Sequence, residues 1–148
     1  FASKEDILKT LLEEFAAQII SSVKNYYTKE QDLYKRFIET KRVNMEVFAQ
    51  NQKLTEIYCR VAGASDVIDS SLKQFEDRLI EFFSRNIEYG IKQGAFKNVA
   101  AVPLAYGILA MEKYLLYRWV VLKAITREEM IEMVVSFHET IAQGLLKR

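Results

Sequence analysis

Several residue types are scarce in this 148-residue sequence, and each scarcity argues against a class of protein. There is one proline and there are five glycines, too few to supply the many turns of an all-β fold. The one cysteine, Cys59, cannot form an internal disulfide, so a reduced thiol in a cytoplasmic protein is expected. The longest uncharged apolar stretch, residues 99–111, is too short to cross a bilayer. No segment resembles a signal peptide.

Charge of one sign is not in excess either. The sequence has 21 basic and 20 acidic residues, which gives a net charge of +1. A nucleic-acid-binding surface normally shows clustered lysine and arginine. The nearest approach is the basic run at positions 35, 36, 41 and 42, but Glu39 and Glu46 interrupt it, as is typical of a solvated helix face. We therefore expect this chain alone not to bind DNA sequence-specifically.

The sequence offers little from which to build a catalytic or metal site. His138 is the one histidine, and the residue three positions before it is Val135, whereas a di-iron helical bundle needs Glu-x-x-His on two helices. No glycine-rich phosphate loop follows a strand pattern. We therefore predict a protein that is not an enzyme and that needs no cofactor or metal. His138 is expected to be packed in the last helix or at a subunit interface.

The sequence does contain helical periodicity with clear start and stop signals. Ser3, Thr28 and Thr126 each open a capping-box pattern, and Gly94 is suited to the left-handed conformation that closes a helix. Apolar residues at three-and-four spacing fill the segments between these signals. The sequence predicts an all-α domain over residues 1–148, a six-helix bundle with helices at about 3–27, 28–49, 52–61, 65–94, 99–123 and 126–146.

The last two predicted helices are apolar on two faces. In the fifth helix, one stripe runs from Leu104 to Leu122 and a second contains Tyr106 and Tyr117. Such a helix must be covered on both faces, either as a central helix of a monomer or with a second copy forming a four-helix dimer seam. The sequence does not decide which stripe faces a partner. The candidate seam residues are Leu115, Trp119, Leu122, Met130, Val134, Phe137, His138, Ile141 and Leu145.

Four passages resemble one protein family. FASKEDIL at 1–8 resembles the junction at which TetR-family repressors leave the DNA-recognition region and begin a long connecting helix. IEYGIKQGAF at 87–96 is similar to the "GIxxGxF" passage that ends the family's seventh helix, and residues 103–111 and 141–146 look like its eighth helix and its "GL" terminus. The similarity follows the whole chain in helix order and length.

The resemblance implies that the six helices correspond to the family's fourth to ninth, with a helix-turn-helix head expected upstream of Phe1. It also implies a cytoplasmic homodimer that pairs through its last two helices and binds a small molecule among the others. Ligand binding would shift the long first helix and change the spacing of two DNA-reading heads.

A ligand cavity would combine apolar walls with a few polar groups that orient the ligand. Polar side chains on apolar stripes predict such a cavity for a hydrophobic or aromatic effector, between the second, fourth and fifth helices. The alternative is that these polar groups satisfy one another or the backbone, and that Lys41 lays its stem on apolar surface with its ammonium in water. A helical adaptor that binds only protein is the alternative function. The candidate ligand-binding residues are Phe37, Thr40, Lys41, Asn44, Phe48, Phe75, Leu79, Phe83, Asn86, Tyr106, Ala110, Tyr114 and Tyr117.

Overall fold

The computed structural model describes residues 3–146, and these residues form the six helices that the sequence predicts. The helices are α1 (Lys4–Tyr27), α2 (Leu33–Gln50), α3 (Gln52–Arg60), α4 (Asp66–Lys92), α5 (Ala101–Val120) and α6 (Arg127–Leu145). Between residues 3 and 146 the one β-type pairing is an isolated bridge that joins Phe96 to Leu146. Phe1 and Ala2 of the resembling FASKEDIL passage lie outside the described residues.

Local caps explain most of the helix bounds. The hydroxyls of Ser3, Ser65 and Thr126 accept hydrogen bonds from backbone N–H groups in the first turns of α1, α4 and α6, which would otherwise lack partners. After the end of α4, Gly94 has φ +79°, as predicted for a residue that closes a helix.

The predicted start of α2 was wrong. Thr28 does not open this helix; it is the C-cap of α1. Asp32 caps α2, because its Oδ1 accepts from the backbone N–H groups of both Tyr34 and Lys35, at 2.9 and 3.1 Å. A carboxylate that satisfies two free donors is a stronger start signal than the hydroxyl four residues earlier.

The fifth helix is shorter than the predicted 99–123. It begins at Ala101 and ends at Val120, and Lys123 adopts φ 53°, a left-handed conformation that no right-handed helix can include. No helix within residues 3–146 has the length and apolar character needed to cross a membrane.

An aromatic cluster of Phe15, Phe48, Tyr58 and Phe75 lies at the centre of the bundle. Phe15 packs edge-on against Phe48 at 5.0 Å between ring centroids and stacks on Phe75 at 5.8 Å, while Tyr58 meets Phe75 edge-on at 5.0 Å. Each fully buried aromatic side chain stabilises the fold by about 1.5–3 kcal/mol. Around this cluster α2 packs on α1 and α6, and α4 packs on α1 and α5.

Candidate functional site

A cavity lies between α1, α2 and α4, and it has room for solvent-sized molecules over about 40 Å³. One face of α2 forms its longest wall, because residues at helical spacing from Leu33 to Asn44 all point into it. Ile108 is the contribution of α5, and Phe96 closes the side formed by the loop after α4. The lining residues are Val23, Tyr27, Leu33, Arg36, Phe37, Thr40, Lys41, Asn44, Phe83, Asn86, Ile87, Tyr89, Gly90, Phe96 and Ile108.

Arg36 and two tyrosines form the outer end of the cavity, which we call the mouth. The Arg36 guanidinium lies 4.0 Å from the ring centroid of Tyr27 and 5.6 Å from that of Tyr89. Tyr89 is exposed to solvent. Burial raises the pKa of Tyr27 well above its ordinary value, although nearby Arg36 and Asn86 act in the opposite direction. Tyr27 therefore stays a neutral phenol that can donate a hydrogen bond.

The outer side of the mouth borders a second, open groove between α1 and α4. Tyr27 and Asn86 line both the cavity and this groove. The groove also carries Lys24, Arg78 and Arg85. The two shared side chains are therefore the partition between the interior cavity and the protein surface.

The inner end of the cavity carries a buried ion pair. The Lys41 ammonium lies 3.4 Å from Glu112 Oε1, and their side chains are 8% and 1% exposed. The same ammonium lies 3.4 Å from the ring centroid of Phe83, a cation–π contact that partly replaces lost water. Asn44 donates from Nδ2 to Glu112 Oε2 at 3.3 Å. The buried carboxylate therefore has an ion-pair partner at Oε1, the Lys41 ammonium, and a hydrogen-bond donor at Oε2, the Asn44 amide.

Burial is the largest influence on both charges of this pair. It lowers the pKa of Lys41 and raises the pKa of Glu112, while each charge partly opposes the shift of the other. A buried ion pair of this kind is often no more stabilising than well-packed apolar residues would be. Loss of either partner alone would, however, leave an uncompensated buried charge, which is strongly destabilising.

His138 lies behind this pair on α6. Its Nδ1 donates to the Val134 carbonyl at 2.8 Å, and its Nε2 lies 3.9 Å from Glu112 Oε1. Burial, followed by the nearby Lys41 charge, lowers the pKa of His138 to about 3. The imidazole is therefore neutral at physiological pH, with the lone pair of Nε2 unprotonated.

Lys41, Asn44, Glu112 and His138 form one buried polar group, which we call the inner cluster. Three of its atoms lack a hydrogen-bond partner within the described part of the chain. They are Asn44 Oδ1, Glu112 Oε1 and His138 Nε2, and in this arrangement all three are acceptors. Buried acceptors without donors are uncommon and call for an explanation. Of the three residues, Asn44 lines the cavity. Among residues 3–146, no group of three or more metal-ligating side chains occurs.

The predicted ligand-binding residues divide into three groups. Phe37, Thr40, Lys41, Asn44, Phe83 and Asn86 line the cavity. Phe48, Phe75 and Leu79 belong to the hydrophobic core. Tyr106, Ala110 and Tyr114 are exposed, and Tyr117 is half-buried and does not line the cavity.

The assignment of α5 tyrosines to the cavity is corrected by the orientation of that helix. The stripe of α5 that contains Ala105, Ile108, Glu112 and Leu116 faces the bundle, so the tyrosine stripe faces away from it. Sequence reasoning missed Glu112, because a glutamate followed by Lys113 is typical of a solvated turn. The alternative interpretation of Lys41, with its ammonium in water, is wrong, because the structure buries this side chain.

The predicted dimer-seam residues also divide. Leu122 and Phe137 are exposed and Leu115 and Ile141 are half-buried, but Trp119, Met130, Val134, His138 and Leu145 are buried within the monomer. Four of these buried residues lie on α6, which packs on α2 and α5, and Trp119 is buried on α5. The buried five are not free to contact a second copy. The exposed large apolar side chains of α5 and α6 are Val102, Tyr106, Tyr114, Met133 and Phe137, and Leu122 is exposed just after the end of α5.

No protein-family model and no curated protein matches the chain, but solved structures resemble it, among them the following two. A crystal structure from Syntrophomonas wolfei, of a protein assigned to the TetR-family transcriptional regulators, aligns with 99% of this chain and 76% of that chain. It has 71% sequence identity and a TM-score of 0.95. A TetR transcription regulator from Haloarcula marismortui aligns with 99% of this chain and 81% of its own, at 16% identity and a TM-score of 0.70. This second similarity shows the fold alone.

Proposed function

This chain belongs to the TetR family of transcriptional regulators, and from that premise we propose that it is the effector-binding and dimerisation domain of a repressor. The observation that carries the proposal is the cavity between α1, α2 and α4, with its apolar walls and its few buried polar groups. Cavities of this composition are typical of small-molecule sites. The effector is a hydrophobic or aromatic molecule.

Effector binding requires the cavity to enlarge. Its present volume of about 40 Å³ accommodates roughly three water molecules, whereas sites for drug-sized ligands measure about 300–1,000 Å³. A ligand that fits only the enlarged state shifts the population toward that state. Because Val23 and Tyr27 of α1 form part of the wall, enlargement moves α1 relative to α2 and α4.

Dimerisation uses the exposed apolar side chains of α5 and α6. Tyr106 and Tyr114 on α5 are 57% and 58% exposed, and Met133 and Phe137 on α6 are 44% and 46% exposed. A two-fold axis brings the same patch of two subunits together. This surface retains Phe137 of the predicted seam and leaves out the five seam candidates that are buried in the monomer. In this proposal Tyr106 and Tyr114 belong to the seam instead of the effector site.

DNA recognition belongs to a separate domain of the longer protein in this proposal. The mixed charges of the chain, with a net charge of +1, give no concentrated basic surface for phosphate contacts. Two DNA-reading heads, one for each subunit, would contact half-sites about one helical turn apart. A change in the tilt of α1 would alter that spacing.

A thermal-shift screen tests the effector proposal. We expect hydrophobic acids, polycyclic aromatics or acyl compounds to raise the melting temperature, because any ligand that binds the native state stabilises it. Thr40→Met provides a cavity-filling variant, since Thr40 lines the cavity and its hydroxyl bonds only within its own helix, to the carbonyls of Arg36 and Phe37. Its melting temperature without ligand should be maintained while the ligand-induced shift is lost.

Ser84→Ala is the matched control for the screen. Ser84 is buried, and its hydroxyl bonds within its own helix, to the Glu81 carbonyl, but it does not line the cavity. The ligand-induced shift should therefore survive this change. If no compound in the screen shifts the wild-type protein, the effector proposal fails and a helical adaptor that binds protein becomes the better explanation.

A further inference from the structure

The side-chain amide of Asn44 is oriented by a group outside the cavity. Asn44 is 1% exposed, and its Nδ2 donates to Glu112 Oε2 at 3.3 Å. Its Oδ1 has no hydrogen-bond partner among the residues that the structure describes. Because Asn44 lines the cavity while Glu112 does not, the carboxylate binds the amide from the protein side.

This orientation of the amide is determined by Glu112. A carboxylate accepts hydrogen bonds and repels a carbonyl oxygen, so rotating the amide would place Oδ1 against Oε2. Burial raises the pKa of Glu112 and Lys41, at 3.4 Å from Oε1, opposes that shift; even a carboxyl protonated on Oε1 would leave Oε2 an acceptor for Asn44. Asn44 therefore presents an acceptor on its free side.

Three other polar side chains of the cavity wall, Thr40, Lys41 and Arg36, already have partners. The Thr40 hydroxyl donates to the Arg36 carbonyl at 2.6 Å. The Lys41 ammonium contacts Glu112 and the Phe83 ring. Arg36 lies at the mouth, against Tyr27 and Tyr89. At this end of the described cavity wall, Asn44 Oδ1 is thus the hydrogen-bond acceptor that lacks a donor. The apolar side chains of Phe83 and Ile108 belong to the same wall.

We propose that the effector carries a hydrogen-bond donor, a hydroxyl or an amide N–H, on an apolar body, and that Asn44 Oδ1 accepts from it. Glu112 is a positioning residue, which selects a donor over an acceptor by fixing the orientation of Asn44. This inference rests on the proposed effector-binding function and adds the chemical class of the effector. A donor on the effector supplies the partner that the buried oxygen lacks, and an analogue without a donor leaves that oxygen unpaired.

Two probes of nearly equal shape test the proposal. 2-Naphthol has a hydroxyl donor, whereas in 2-methoxynaphthalene a methyl group replaces the donor hydrogen. Isothermal titration calorimetry on the whole chain should give about tenfold tighter binding for 2-naphthol. Equal affinities, or tighter binding of the methyl ether, overturn the donor proposal while supporting effector binding. Failure of both probes to bind overturns the inference together with the effector site on which it rests.

Two variants separate the acceptor from a general effect on folding. Asn44→Leu should abolish the tenfold preference, because it removes the acceptor. Glu112→Gln should reduce or reverse the preference, since the new amide can donate to Asn44 Oδ1 and turn Nδ2 toward the cavity. The measured ratio of two affinities does not change when a variant is merely less stable. Ser84→Ala, the control outside the cavity, should retain the wild-type ratio.

The Glu112→Gln variant tests the positioning role of Glu112 even if Asn44→Leu fails to fold. A wild-type preference for 2-naphthol in Glu112→Gln overturns the positioning role of Glu112. A reduced or reversed preference, with 2-methoxynaphthalene still bound, supports it.

Discussion

His138 should make the protein less stable in mild acid. Its pKa is lowered from 6.5 to about 3 in the folded protein, because the ring is buried and lies near Lys41. In the unfolded chain the same imidazole titrates near its ordinary value of about 6.5. Between these two values the unfolded chain binds one proton more than the folded protein. The free energy of unfolding therefore falls as the pH falls from about 6.5 toward 3.

The size of this effect follows from the pH range between the two pKa values of His138. Each pH unit below about 6.5 costs about 1.4 kcal/mol of stability, so the loss at pH 5 is about 2 kcal/mol. The groups that face His138 are Lys41 on α2 and Glu112 on α5. Their pKa values shift in opposite directions, and the charged pair and the neutral pair hold the same number of protons. Exchange between those two forms thus adds no net slope.

Urea denaturation at pH 7 and pH 5, at one fixed protein concentration, measures the loss. The matched variant is His138→Leu, which fills the same buried position with an apolar side chain that cannot titrate. Surface carboxylates contribute equally to both proteins, so the difference between the two losses isolates His138. We expect the wild-type protein to lose about 2 kcal/mol more than the variant over this range. Equal losses would refute the neutral, buried state of the imidazole.

Three further changes have expected outcomes. Gly90→Ala should lower the free energy of unfolding by about 1–3 kcal/mol in chemical denaturation, because a Cβ at that position would overlap the Phe96 ring, whereas Gly107→Ala meets open space and should not destabilise. Asn86→Leu should weaken binding of a polar effector by about 1–3 kcal/mol in calorimetry without changing the oligomeric state; unfolding of this variant would instead place Asn86 in a structural network. Phe137→Glu should convert dimers to folded monomers in light scattering at micromolar concentration, and a wild-type chain that is already monomeric there would contradict the proposed seam.

The sequence predicted the helices well because their signals are local. Ser3, Ser65 and Thr126 cap helices through hydrogen bonds that span only three residues, and Gly94 closes a helix by its own conformation. The short passages that resemble the TetR family were also sufficient, and the similarity to the Syntrophomonas wolfei structure confirms that assignment.

Which face of each helix is buried was less predictable from the sequence, because burial depends on packing partners that are distant along the chain. Both stripes of α5 are apolar, so hydrophobicity alone could not decide that Ile108 faces inward and Tyr114 outward. The inner cluster was hidden for a related reason. Lys41 and Glu112 are 71 positions apart along the chain, and each alone is typical of a solvated helix. Their burial depends on each other, which no single segment reveals.

The aromatic cluster contacts α1 near the middle of the helix, at Phe15. If α1 rocked about Phe15, which packs against Phe48 and Phe75, the two arms would reach about 18 Å to Tyr27 and about 16 Å to Lys4 at 1.5 Å per residue. A rigid rocking motion that lifts Tyr27 from the cavity by about 1 Å therefore lowers the opposite end by nearly the same distance. At that far end the Ser65 hydroxyl donates to Glu5 at 3.1 Å, so the length of this hydrogen bond would change with such a motion. If effector binding lifts Tyr27 as proposed, the same rocking would move the beginning of α1 by nearly the same distance in the opposite direction.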